Sequence, residues 1–100
     1  MLSTIILVGM TCGYNEASKC DVSFEQVYAG QSVTEFKADA KHCLTTLEKL
    51  PDVETISIDK FKYYGCFTVD YNVKPGMMYL ENILDKDDSF MWTANEIKVK

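Results

Sequence analysis

The chain has no arginine: all ten of its basic residues are lysine, set against fifteen acidic ones. Arginine is the side chain that forks onto phosphate and guanine, so its absence argues against a sequence-specific nucleic-acid reader. An AT-rich coding sequence also produces this lysine bias. The formal net charge of −5 points the same way, because an acidic surface repels phosphates and anionic lipid headgroups. Direct nucleic-acid binding and membrane binding are therefore not expected.

Histidine is scarce as well. His42 is the only one, and on a helical wheel it falls nearly opposite the apolar stripe. Cys43 follows it, but neighbours on a helix diverge by about 100 degrees, so the two make no nucleophile–base pair. No Ser-His-Asp set, metal-spaced His/Glu pair or phosphate loop is present. The expectation is a protein that is not an enzyme, with no catalytic residues, resident metal or cofactor.

Long apolar runs are missing too. The longest, from Met1 to Met10, is too short to span a bilayer, which takes about 20 residues. It has no basic leader and no small-residue cleavage site after it, so it reads as a buried strand rather than a signal peptide. That reading makes the protein cytoplasmic and leaves Cys12, Cys20, Cys43 and Cys66 as free, buried thiols.

One hundred residues with 47% apolar content suit a single domain, 1–100, with one modest core. The clearest local signal is a helix over about 32–50. Ser32-Val33-Thr34-Glu35 is a capping box. Val33, Phe36, Ala40, Cys43, Leu44, Leu47 and Leu50 then draw one stripe, and Pro51 ends it. Strands are expected at Ser3–Met10, at Asp21–Ala29 with a break at Glu25-Gln26, at Val53–Phe61, at Tyr63–Val73, and at Phe90–Val99 with a slip near Asn95. Lys60–Gly65 would hold a hairpin turn, Lys74-Pro75-Gly76 a second turn, and Met77–Leu84 a short helix. The resulting expectation is α+β: an antiparallel sheet of four or five strands with one main helix and a short second one. That is a ferredoxin-like βαββαβ order with an insertion after the first strand.

Gly9-Met10-Thr11-Cys12 resembles the start of the G-M-T-C-x-x-C motif of heavy-metal-associated domains, which are ferredoxin-like metal carriers. Leu47–Ile58 is similar to the helix end and second strand of that family. The resemblance implies a soft-metal site on Cys12, but Asn15 stands where the second cysteine belongs, so another cysteine would have to serve. Lys60–Val69 faintly resembles the ribonucleoprotein-1 motif, with Cys66 replacing its stacking aromatic.

A small acidic domain without catalytic apparatus is expected to bind another protein. In size and charge it is similar to phage anti-restriction and anti-CRISPR inhibitors, which block basic nucleic-acid-binding surfaces. The carboxylates for that task would be Asp85, Asp87 and Asp88, or Asp52, Glu54 and Asp59. Candidate contact aromatics and methionines are Tyr14, Tyr63, Tyr64, Met77, Met78, Tyr79 and Trp92, with Tyr63, Tyr64 and Trp92 foremost. A metal carrier using Cys12 and a homodimer formed through an open sheet edge are the alternative readings.

Overall fold

The computed structural model describes residues 4–14, 20–29, 32–70, 73–93 and 96–99. It has one helix and seven strands in the order β1 (Thr4–Gly13), β2 (Cys20–Tyr28), α1 (Val33–Glu48), β3 (Glu54–Ser57), β4 (Lys60–Asp70), β5 (Met77–Asn82), β6 (Ser89–Thr93) and β7 (Ile97–Val99). The sheet runs β6-β5-β4-β1-β2-β7, and β3 pairs with β4 beside this path. Every pairing is antiparallel except that of β7 with β2.

The ferredoxin-like expectation is therefore overturned. The described residues are mostly sheet, with one helix and more strands than the four or five expected. The segment expected to be a second helix, Met77–Leu84, is instead strand β5 up to Asn82. Its apolar residues fit either period over so short a stretch, and a type II turn decides the matter. Gly76 takes φ +75, and the Met77 amide donates to the Lys74 carbonyl at 3.1 Å. This turn reverses the chain so that β5 returns along β4. The other hairpin turn lies at Ile58-Asp59, not at Lys60–Gly65, so β4 begins at Lys60.

The strand expected at Asp21–Ala29 is present as β2 and is bulged. The β1–β2 register shifts between Leu7 and Val8, which pair with Gln26 and Phe24 and leave Glu25 as the extra residue. The final strand divides into β6 and β7, which run in the same direction on opposite ends of the sheet path. Thr93 and Glu96 are three residues apart, so at most about 11 Å separates them. The sheet must therefore curl until the end of β6 comes close to the start of β7, which gives a small barrel-like form in which β6 and β7 are not paired with each other.

That closure explains the burial of β1. Its residues from Ile5 to Met10 are all buried, on both faces. Ile6, Val8, Met10 and Cys12 face the barrel interior with Val22, Phe24, Phe67, Val69, Met78, Leu80 and Ile97. Phe67, Phe90 and Trp92 pack edge-to-face, with centroids 5.4 and 5.9 Å apart. Gly65 leaves the space that the Phe67 ring fills, because a Cβ there would stand 2.7 Å from the ring.

Ile5 and Leu7 point outward and are covered by α1. The helix caps as expected, with Ser32 Oγ accepting from the Glu35 amide at 3.1 Å. Its stripe of Phe36, Ala40, Cys43, Leu44, Leu47 and Leu50 packs with Ile5, Leu7, Cys66, Tyr28, Tyr64 and Ile83. Val33 is the exception, at 60% exposed. His42 is exposed, as the wheel placed it.

The expectation of free thiols is also corrected, since all four cysteines are bridged. Cys12 and Cys20 stand directly opposite each other in the β1–β2 ladder, with Cα atoms 4.2 Å apart. Cys43 on the helix joins Cys66 on β4, fastening the helical layer to the barrel wall. Linear spacing cannot reveal either pair, because three connectivities are open to four cysteines.

Candidate protein-docking site

Strand β4 is long enough to carry two neighbours on one side. Its first residues pair with β3, Glu54 facing Lys62 and Ser57 facing Lys60. Its last ones pair with β5, Phe67 facing Asn82 and Asp70 facing Tyr79. The β3 end forms a ribbon from Asp52 to Lys60 that stands out from the barrel.

This ribbon is apolar where it should be polar. Val53 is 57% exposed, Ile56 48% and Ile58 99%, and Tyr14, whose amide meets the Asp59 carbonyl, is 54% exposed. Single exposed apolar residues are ordinary, but several on one element make it a candidate contact surface. Asp52 and Asp59 are exposed around it and Glu54 is half-buried. Lys60 is the exposed cation of the segment. The ribbon thus has an apolar crest among three carboxylates.

Several ties hold the crest still. The Tyr14 amide donates to the Asp59 carbonyl at 3.0 Å, joining the end of β1 to the β3–β4 turn. The Tyr14 ring lies 4.9 Å from that of Phe61, which in turn stacks 6.2 Å from Tyr63. Ser57 donates its hydroxyl to Asp59 Oδ1 at 2.7 Å. That bond holds the Asp59 carboxyl below its ordinary pKa, helped by its own backbone amide and by Lys60. Tyr64 donates to Glu54 Oε2 at 2.7 Å. An ordered surface loses less entropy when it binds.

Under the ribbon lies a buried ion pair. Lys62 Nζ meets Glu25 Oε1, with both side chains close to nine-tenths buried, and the ammonium sits 5.1 Å from the Tyr64 ring centre. Gly9 makes the room: a Cβ there would lie 2.6 Å from Lys62 Cε and 2.9 Å from Glu25 Oε1. The bulge that adds Glu25 to β2 is what brings its carboxylate to this lysine.

The acidic loop after β5 is built differently. Asp85 Oδ1 accepts from the Asp87 amide at 3.1 Å, and Asp88 Oδ2 accepts from Asn82 Nδ2 at 3.1 Å. The side chains of Asp85 and Asp88 therefore shape the turn itself, and Leu84 is its one strongly exposed apolar companion. Asp88 also raises the Tyr63 pKa, after burial, which is the larger cause.

The nine residues singled out from sequence thus divide. Asp52, Glu54, Asp59 and Tyr64 meet at the ribbon. Asp85, Asp87 and Asp88 form the separate loop. Tyr63 and Trp92 pack against the barrel core and do not join the ribbon surface. Met78 is buried outright. Sequence reasoning placed Val53, Ile56 and Ile58 within an expected strand and did not single them out as contact residues. Alternation shows which residues share a face, but not whether anything covers that face.

Cys12 is bonded to Cys20, so a metal carrier would need this bridge reduced first. No helix among the described residues is long and apolar enough to cross a membrane. No protein-family model matches the chain, and neither the curated proteins nor the solved structures contain a match to it.

Proposed function

We propose that the protein is a small acidic binding module that docks the β3 ribbon onto another protein. The observation that carries this reading is the exposed crest of Val53, Ile56, Ile58 and Tyr14, held rigid among Asp52, Glu54 and Asp59. Such a surface suits a shallow apolar depression rimmed by lysine or arginine. The apolar contacts supply affinity, and the carboxylates steer the encounter and set its salt dependence. A nucleic-acid-binding face has this rim, so inhibition of such a partner fits the same chemistry. The two bridges favour an oxidising compartment over the cytoplasm.

The test pairs two baits on one affinity matrix, the native chain and Ile58→Asp/Asp59→Lys. Both positions are exposed, so the stability change should stay within about 0.5 kcal/mol. The native bait should retain a basic protein that rising salt releases, and the variant should lose it at least tenfold. Competition by nucleic acid for the retained protein would identify the inhibitor case. Equal retention by both baits would remove the ribbon from the function.

A further inference from the structure

The sheet has a second edge with the opposite character. β6 is hydrogen-bonded to β5 on one side, and no other described strand pairs with it. Natural proteins protect such edges with charge, proline, bulges or extreme shortness. β3 has four residues, a register shift between Thr55 and Ser57, and flanking carboxylates. β7 has only three residues. β6 has Asp87 and Asp88 before its first residue, but the strand itself, Ser89-Phe90-Met91-Trp92-Thr93, is uncharged, free of proline and unbroken in register.

Its sequence also reads alike in both directions: hydroxyl, aromatic, methionine, aromatic, hydroxyl. We propose that β6 pairs antiparallel with β6 of a second copy, about a two-fold axis through Met91. Ser89 then faces Thr93 of the second copy, Phe90 faces Trp92, and Met91 faces Met91. The hydroxyl and aromatic pairs are of the kind that stabilises antiparallel ladders. An isologous contact of this sort closes at two subunits.

The exposed surface fits this occupant. Phe90 and Trp92 are only half-buried, although both pack on the barrel core. Met91 is 38% exposed on the outer face, opposite half-buried Tyr79 in the ladder. The pairing extends the sheet across the axis and covers the exposed Met91 side chain with that of the second copy. Repulsion between the acidic chains is weak at this edge. Asp88 lies three residues from the axis, so the two copies of it stand roughly 20 Å apart, beyond the screening length of about 8 Å. This contact uses a different strand from the docking ribbon and does not depend on it.

Sedimentation of the oxidised chain from low micromolar to millimolar concentration tests the pairing. The native protein should pass from monomer to dimer as concentration rises. Met91→Lys, which sets two ammonium groups on the axis, should weaken the dimer at least tenfold. Trp92 fluorescence checks that this variant is folded. Register is read by a second pair of variants, in which the new cysteine is the sole free thiol. Met91→Cys should form a covalent dimer with diamide, which takes up the two thiol hydrogens as the disulfide forms. Ser89→Cys should not, because its copies lie roughly 14 Å apart in this register. A native chain that stays monomeric at millimolar concentration overturns the proposal. So does a Met91→Lys dimer of native strength, or cross-linking of Ser89→Cys as efficient as that of Met91→Cys.

Discussion

The two edges carried by β4 solve opposite problems. β3, on its first half, is short, bulged and ringed by carboxylates, so its backbone is a poor template for another strand. What it offers is side chains: an apolar crest with Ile58 almost fully exposed. β6, reached through β5 on the other half, is uncharged and regular, and it offers backbone. The contrast teaches that exposed apolar residues and an exposed strand edge are different invitations. The first suits a partner shaped to the crest, and the second suits any extended chain, including a copy of the same strand.

Both edges depend on one barrel, and breaking it should give the largest effect. Phe67 is fully buried and sits where β4 turns from one neighbour to the other. Phe67→Ala should cost about 3–5 kcal/mol in denaturant unfolding. β6 self-pairing and ribbon binding should weaken together.

A smaller loss should separate the two halves. Lys62→Met removes the cation beside the buried Glu25 carboxylate, at a cost of about 3 kcal/mol. Hydrogen exchange should quicken first in Glu54–Ser57 and leave Met77–Asn82 little changed. Replacing both partners, as Glu25→Leu/Lys62→Met, should recover most of the stability, since a buried pair exchanged for apolar groups is often neutral. Equal loosening of β5 and β3 in the single variant would mean that the halves are not independent.

The smallest effect concerns pH. Burial, with the Asp88 charge second, raises the Tyr63 pKa above its ordinary value of 10.0. The folded state thus favours the neutral phenol. Its contribution is fully present below pH 10 and is lost as pH rises through the folded pKa. Asp88→Asn should lower the Tyr63 pKa slightly, as read by ultraviolet titration of the phenolate. Removing Asp59, on the ribbon, should leave that titration unmoved.

Sequence revealed the local features that depend on local chemistry. The Ser32 cap, the helix stripe, the Pro75-Gly76 turn and the bulge near Glu25-Gln26 each rest on a few adjacent residues, and each is present. It misled where the answer is set by distant contacts. Met78 and Leu80 fit a helix as well as a strand until β4 lies beside them. The continuous run Ile5–Met10 announces burial on both faces, yet nothing in it says that one cover is a helix and the other the interior of a curled sheet. The slip expected near Asn95 lies outside the described residues, and that Ser89–Thr93 and Ile97–Val99 pair with opposite ends of the sheet path was not legible. Half of the candidate site was legible, because carboxylates at Asp52, Glu54 and Asp59 stand out in any reading. Its apolar half was hidden, since Ile56 and Ile58 alternate as core residues do.

The most direct test of the docking account is a comparison of three immobilised baits against proteins from the native source. These are the native chain, the ribbon variant Ile58→Asp/Asp59→Lys and the β6 variant Met91→Lys. The account predicts one basic partner held by the native chain and by Met91→Lys, released by salt, and lost from the ribbon variant. A partner that stays on the ribbon variant and leaves Met91→Lys would contradict it, and would move the function from the crest of β3 to the edge of β6.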